Sequence, residues 1–220
     1  QEKTAVVGFV RYEAGPLPDA LTSFLRRGEP PIIFTLGTVA TDIRSNAHLY
    51  DATISAARAL GQRLVIIAKQ DERRQHLSKA ADGDVFVAEY VDYAALFPCA
   101  RLVIHQGGIG TIGLALRAGL PMLIVPFVAD QQSNALAARN LGVARTIAVE
   151  DYSPERLVAE LETLMGDASY LSKAREVAIR MHQENGAVPA CDLLERIETP
   201  RQSHPPEAQS SGRVTAGACA

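Results

Sequence analysis

Short apolar runs that alternate with helical segments are the feature of this sequence that most limits its fold. Each run is continuous rather than alternating with polar residues, and most are rich in Val, Ile and Leu. Such runs are typical of strands buried on both faces of a parallel sheet. The predicted strands are 32–35, 64–68, 85–87, 102–105, 122–125 and 144–149. Because helical patterns separate them, we predict an α/β fold with a doubly wound, mainly parallel, six-stranded Rossmann-like sheet.

Capping residues mark several helix boundaries. Asn46 and Ser153-Pro154 are typical of residues that begin helices, and Gly61 is typical of one that ends a helix. Further helices are predicted at 19–27, 132–141, 170–183 and 188–197.

The strands and helices place one globular domain at residues 32–198. Residues 1–31 are expected to lead into the first core strand. Residues 199–220 are rich in Pro, Ser, Gly and Ala and poor in large apolar side chains. Because they cannot bury enough surface to offset the entropy cost of ordering, we predict a disordered tail.

Composition excludes some classes of partner. The net charge is −3 and charged residues make up 21% of the chain, which gives no electrostatic footprint for nucleic acid or for a membrane surface. No apolar run approaches the length of about 18 residues that spans a bilayer. The three cysteines form no CxxC pair, so neither a disulfide framework nor a zinc site is indicated. We therefore expect a cytoplasmic protein.

The segment that points most directly to a ligand is HQGGIGT, residues 105–111. It follows a predicted buried strand and opens a helix, where free N–H groups and the helix dipole favour an anion. A phosphate can approach the backbone closely at its glycines, which are Gly107, Gly108 and Gly110. Thr111 adds a hydroxyl, and His105 stands at the carboxyl end of the strand, where ligands of open α/β sheets bind.

A second interpretation of the same segment is a dinucleotide site. Gly108 to Gly113 formally matches GxGxxG, and Asp130 lies near the spacing expected of a ribose-binding acid. A dinucleotide-dependent oxidoreductase is therefore an alternative. Against it, the dinucleotide fingerprint usually follows the first strand of its domain, and three predicted strands precede this one. That interpretation also leaves His105 and Gln131 without roles.

Residues 103–135 resemble the donor-binding signature of inverting GT-B glycosyltransferases, which include bacterial antibiotic and sterol glycosyltransferases and the rhamnolipid rhamnosyltransferase. The resemblance implies that a His-x-Gly-Gly element, here His105, Gly107 and Gly108, binds the donor diphosphate together with Thr111. It implies that the Asp130-Gln131 pair binds hydroxyls of the sugar. Asn134-Ala135 follows the same pattern.

Two further stretches carry the resemblance outside this signature. Gly37-Thr38 resembles a Gly-Ser turn that touches the diphosphate. Val91-Asp92-Tyr93 resembles a Val-Pro-His stretch whose backbone reads the pyrimidine, although Pro and His are both absent here. Gln106 replaces the second His of the common His-His-Gly-Gly form.

The resemblance places the catalytic base and the acceptor pocket on an N-terminal domain. No catalytic residue is therefore predicted in this chain, and the remaining histidines are expected on the surface or in loops: His48, His76, His182 and His204. Transfer would need the missing domain, either cut away or supplied as a separate chain. We expect the chain alone to be inactive. A non-catalytic nucleotide-sugar-binding partner subunit is the second alternative.

For the whole enzyme, the resemblance implies transfer of a hexose from a UDP- or dTDP-sugar, with inversion, to a hydroxyl of a small lipophilic acceptor. The missing domain is also where a peripheral membrane contact would be expected. Fixed N–H donors would stabilise the departing diphosphate, so no cofactor and no metal are expected. Asp82-Gly83-Asp84 matches the DxD metal motif of another glycosyltransferase fold, but we interpret it as an ordinary turn.

Overall fold

A computed structural model describes residues 4–37, 47–68, 77 and 79–198, with the side chains of 197 and 198 excepted. Its centre is a parallel sheet of six strands in the order β3-β2-β1-β4-β5-β6. The strands are β1 Ile32–Thr35, β2 Leu64–Ile67, β3 Val85–Ala88, β4 Leu102–His105, β5 Met122–Ile124 and β6 Ala144–Thr146. The predicted doubly wound, Rossmann-like α/β class is confirmed.

Helices flank the sheet on both faces. Their bounds are α1 Asp19–Arg26, α2 Ala47–Ala59, α3 Tyr93–Leu96, α4 Ile109–Ala118, α5 Gln131–Asn140, α6 Pro154–Gly166, α7 Ala168–Gln183 and α8 Ala187–Glu198, and short 3-10 helices lie at Phe97–Cys99 and Val149–Asp151. The predicted start of α6 is confirmed, because Pro154 is its first residue and Ser153 Oγ accepts a hydrogen bond from the N–H of Arg156.

Packing on both faces of the sheet explains why the strand sequences are continuous apolar runs. Successive residues of one strand enter different clusters: Ile32 and Phe34 pack with α2 and α6, whereas Ile33 packs with helices of the other face. A strand covered on both faces has no solvent side on which polar residues could alternate. β6 is shorter than predicted because the chain turns into the 3-10 helix at Val149–Asp151.

The strand order places the topological switch point between β1 and β4. These strands are neighbours in the sheet, with Thr35 paired to His105 at their carboxyl ends, and the connections run outward from them in opposite directions. Open α/β sheets bind ligands in the crevice at this point. Gly37, just after β1, and the glycine segment after β4 (residues 106–111) therefore border the crevice from its two sides.

The segment before α1 lies across α4 and is held at both ends. The ring of Phe9 fills the space where a Cβ at Gly113 would stand, and Phe9 exchanges hydrogen bonds with the chain that joins α7 to α8, through Glu184 and Gly186. Further on, the N–H of Gly15 donates to Asp92 Oδ2 at 2.6 Å.

Several predictions fall outside the described residues. They concern the Thr38 hydroxyl, the Asn46 cap, His76, His204 and the tail at 199–220. Within the described ranges, no helix is both long and apolar enough to cross a bilayer.

Candidate functional site

The predicted site residues that the structure describes come together along the carboxyl edge of the sheet. Each follows a strand: Gly37 after β1, Val91 after β3, the glycine segment after β4, and Asp130-Gln131 after β5. In a parallel sheet all of these strand ends open on one side, so residues far apart in sequence border one crevice.

His105 holds the glycine segment from inside the sheet. Its side chain is fully buried, and its Nδ1 accepts a hydrogen bond from the N–H of Gly107 at 3.0 Å. Because Nδ1 is an acceptor, the ring proton lies on Nε2. That Nε2 is buried without a hydrogen-bond partner among the described residues.

Burial also fixes the charge of this histidine. Desolvation lowers the pKa of His105 from its ordinary value of 6.5 to about 3. The imidazole is therefore neutral at physiological pH. What it offers a ligand is a neutral N–H donor.

Gly107 and Gly108 shape the turn between β4 and α4. Gly107 has φ +94°, and a Cβ there would stand 3.0 Å from Ile124 Cγ2, so both its conformation and its surroundings require glycine. Gly108 is the N-cap of α4 and has no side chain to cap the helix. Among the described residues, no side chain accepts from the first N–H groups of α4, which are those of Ile109, Gly110 and Thr111.

The loop between β5 and α5 is held by Gln131. This side chain is 4% exposed, and its Oε1 accepts hydrogen bonds from the N–H groups of Phe127 at 2.8 Å and Val128 at 3.1 Å. Its oxygen is therefore committed to the loop, and its Nε2 is the end left to donate. If Gln131 binds a sugar hydroxyl, as the resemblance implies, it would do so as a hydrogen-bond donor.

Asp130 is exposed at the start of α5, and its side chain makes no cap hydrogen bond to the helix. Its Oδ2 instead accepts from Asn134 Nδ2 at 2.8 Å. The preceding residue, Ala129, has φ +54°, which is unfavourable for a residue with a Cβ. Sparsely populated conformations of this kind often occur at ligand sites.

Asn134 is a site residue to which the sequence assigned no role. Its Nδ2 donates to the carbonyl oxygen of Gly107 at 3.0 Å as well as to Asp130. Asn134 therefore links the glycine segment to Asp130, the candidate sugar-binding carboxylate. The sequence signals were its place one helical turn after Asp130 and its match, with Ala135, to the family pattern.

Residues 91–93, which depart from the family pattern, make hydrogen bonds that join the loop after β3 to the end of β1. Asp92 Oδ1 caps α3 by accepting from the N–H of Ala94, and Tyr93 Oη lies 2.6 Å from Thr35 Oγ1. Thr35 Oγ1 in turn accepts from the N–H of Gly37 at 3.2 Å. Burial raises the pKa of Tyr93, so its hydroxyl stays protonated. Val91 is buried beside this chain of hydrogen bonds.

Gln106 lies between the two loops at the switch point. A Cβ at Gly37 would clash with Gln106 Nε2, and one at Gly108 would stand 3.1 Å from the same atom. Its Oε1 is buried without a partner in the described part of the chain.

Two motif matches include residues with local structural roles. The GxGxxG match follows the fourth strand, and its last glycine, Gly113, makes room for the Phe9 ring. Asp82 Oδ1 accepts from the N–H groups of Asp84 and Val85, as in an ordinary turn, which confirms that interpretation. The described residues contain no cluster of three or more His, Cys, Asp or Glu side chains that could hold a metal ion.

Two other histidines that the structure describes are surface residues, as predicted. His48 is exposed in the first turn of α2. His182 is exposed near the end of α7, where its Nδ1 lies 2.8 Å from the carbonyl oxygen of Ala178.

Comparison with known proteins identifies relatives of this chain. The family model for the erythromycin biosynthesis protein CIII-like C-terminal domain matches residues 53–196. O-mycaminosyltylonolide 6-deoxyallosyltransferase of Streptomyces fradiae is 32% identical over 193 residues, which are 87% of this chain and 44% of that protein.

Solved structures agree with this comparison. The glycotransferase of kitacinnamycin matches with a TM-score of 0.68 and 27% identity over 76% of this chain and 43% of its own. The glycosyltransferase VinC, solved in complex with dTDP, has the same fold, with a TM-score of 0.65 and 24% identity over 83% of this chain and 45% of its own. The chain thus spans less than half the length of each of these relatives.

Proposed function

The chain belongs to the family of erythromycin biosynthesis protein CIII-like C-terminal domains, which have the fold of the C-terminal half of GT-B glycosyltransferases, and we propose that it binds a UDP- or dTDP-sugar as the donor. The observation that carries the proposal is the convergence of Gly37, the glycine segment and Asp130 at the switch-point edge of the sheet. The presence of dTDP in the VinC structure supports a pyrimidine diphosphate as the ligand class.

In this proposal the diphosphate lies over the start of α4. Gly37 and Gly108 let it approach the backbone, while the first N–H groups of α4 and the Thr111 hydroxyl donate to phosphate oxygens. The buried His105 orients Gly107 through Nδ1 and presents a neutral Nε2–H to the diphosphate. The helix dipole adds favourable electrostatics without any side-chain charge.

The same donors stabilise the leaving group. As the glycosidic bond breaks, negative charge grows on the diphosphate, and fixed N–H groups can stabilise it without reorganisation. We therefore expect no requirement for a divalent metal. Affinity for UDP that is unchanged by EDTA would agree with this, and a strict dependence on Mg²⁺ would contradict it.

The sugar is proposed to contact the start of α5. Asp130 is exposed, and its carboxylate is oriented by Asn134, so its remaining lone pairs can accept from sugar hydroxyls. Gln131 Nε2 is the matching donor, because its oxygen already binds the loop. Val91 lies in the loop after β3, where the resemblance places recognition of the pyrimidine base.

The full enzyme is proposed to transfer a hexose with inversion to a hydroxyl of a small, lipophilic acceptor. The acceptor pocket and the catalytic base would lie in the part of the relatives that this chain does not span. We expect the described domain to bind the donor but to leave the sugar untransferred on its own.

The proposal is tested by titrating the wild-type chain and Asp130→Asn with UDP and UDP-glucose, and with dTDP and dTDP-rhamnose, in a calorimeter. We expect the variant to weaken the preferred nucleotide-sugar about 10-fold, since a hydrogen bond to a charged group contributes about 1.5–3 kcal/mol. The affinity for the bare nucleotide should change little. Equal losses for nucleotide and nucleotide-sugar would mean that Asp130 does not read the sugar.

A further inference from the structure

Gln106 lies at the switch-point crevice, between Gly37 and Gly108. It is the residue directly after β4, it is 5% exposed, and its amide lies against Gly37 of one loop and Gly108 of the other. Neither glycine tolerates a Cβ without displacing this amide. The glycines that let a phosphate approach the backbone are thus also the ones that make room for Gln106.

The amide of Gln106 has unused hydrogen-bonding capacity within the described part of the chain. Among those residues, Oε1 is buried without a partner and Nε2 makes no hydrogen bond. Buried polar groups in proteins are nearly always paired, because an unpaired one loses its hydration without compensation. An apolar side chain of similar shape would serve folding equally well or better. Folding stability therefore does not explain a glutamine at this position.

The neighbouring His105 occupies a different position in the site. The His105 ring is fully buried and its Nδ1 already binds the N–H of Gly107, whereas Gln106 lies against both loops that border the crevice. A side-chain amide can donate and accept at the same time. A nucleoside diphosphate-sugar offers phosphate oxygens to the donor end and hydroxyl groups to the acceptor end.

We propose that Gln106 is a donor-contacting residue that bridges the diphosphate and a hydroxyl of the same nucleotide-sugar with the two ends of its amide. The inference rests on the proposed function and deepens it. Because an amide does not titrate, the contact made by Gln106 is the same across physiological pH. The family resemblance puts a histidine at this position, which would make the contact depend on pH.

The test compares Gln106→Leu with the wild-type chain by calorimetric titration with UDP, dTDP and inorganic pyrophosphate. Leucine keeps most of the volume and removes both polar atoms. We expect about a 10-fold or larger loss of affinity for the preferred nucleotide, together with a urea midpoint that is equal to or higher than that of the wild type. Gln132→Leu is the matched control, since Gln132 is exposed on α5, and it should leave affinity unchanged.

Two further variants sharpen the result. Gln106→Glu keeps the shape but adds a negative charge beside the diphosphate, and it should lower affinity by about 100-fold. Gln106→His should bind the preferred nucleotide-sugar, whose diphosphate has no terminal phosphate to titrate in this range, more tightly at pH 6 than at pH 8 relative to the wild-type chain.

The outcomes separate this inference from the proposed function. Wild-type binding together with unchanged affinity of Gln106→Leu overturns the role of Gln106 and leaves the proposed function standing. A loss of affinity matched by a loss of stability also overturns it, because Gln106 would then be structural. A wild-type chain that binds none of the three probes overturns the proposed function and this inference with it.

Discussion

The side-chain nitrogen of Asn134 donates to the carbonyl oxygen of Gly107 at 3.0 Å, and so joins the start of α5 to the glycine segment after β4. The same nitrogen donates to Asp130 Oδ2 at 2.8 Å. One amide therefore orients a candidate phosphate-binding turn and a candidate sugar-binding carboxylate. Because both contacts lie within the site, their loss should affect binding as well as stability.

Asn134→Ala removes both hydrogen bonds. We expect the free energy of unfolding to fall by about 1–2 kcal/mol and the affinity for the preferred nucleotide to fall about 3-fold to 10-fold, because the turn at Gly107 loses its tether. Urea unfolding and calorimetric titration measure the two effects. Asn140→Ala, at the exposed end of α5, is the control and should change neither. An Asn134→Ala chain with wild-type affinity would show that the tether is irrelevant to binding.

Two substitutions of His105 separate its two ring nitrogens. Asparagine places an acceptor near Nδ1 and can keep the bond to the Gly107 N–H, whereas glutamine reaches toward Nε2. If the Nε2–H donates to the diphosphate, His105→Asn should lose about 10-fold in UDP affinity while retaining most of its stability. If orientation of the loop is the whole role, His105→Asn should bind like the wild type and His105→Gln should not.

The pH dependence of stability follows from the burial of His105. Its pKa is about 3 in the folded state and near its ordinary value of 6.5 in the unfolded state. Below pH 6.5 the unfolded chain therefore takes up a proton that the folded chain does not, and stability falls as pH falls. The contribution of this residue is lost at up to about 1.4 kcal/mol per pH unit. Above pH 7 both states are neutral and the contribution is constant.

This dependence is measured as the difference in urea unfolding between the wild-type chain and His105→Asn from pH 7.5 to pH 5. The wild-type chain should lose more stability than the variant over that range. Parallel curves would mean that His105 titrates normally in the folded protein.

Ala129→Gly tests the backbone strain beside Asp130. Ala129 has φ +54°, a conformation that glycine adopts without steric cost, so the substitution should raise the free energy of unfolding by about 1 kcal/mol. Ala137→Gly, at an exposed position within α5, is the matched control and should lower it by about the same amount. If both variants are destabilised alike, the conformation at Ala129 is not strained.

Much of this fold could be predicted because it rests on local patterns. Continuous apolar runs such as Leu64–Ile67 are typical of strands buried between two layers of helices. The start of α6 at Ser153-Pro154 depends only on neighbouring residues, so it can also be predicted. The gathering of Gly37, His105 and Asp130 at one edge also followed, because parallel strands open in one direction. Strand ends were less accurate, since the turn after Thr146 depends on packing.

The parts of the site that could not be predicted depend on partners distant in sequence. Nothing near Asn134 shows that its amide will reach Gly107, and nothing near Tyr93 shows that its hydroxyl will meet Thr35. The neutral state of His105 likewise depends on complete burial, which the sequence does not display. The position of the Gln106 side chain beside Gly37 could not be predicted either, because it depends on the pairing of β1 with β4.

The most direct test of donor binding at the switch point is a calorimetric titration of the wild-type chain with UDP, dTDP, UDP-glucose, dTDP-rhamnose and NADH. We predict binding of a pyrimidine nucleoside diphosphate or of its nucleotide-sugar, without binding of NADH. The same result would show whether the donor carries uracil or thymine. Binding of NADH alone would contradict donor binding and favour a dinucleotide-dependent oxidoreductase.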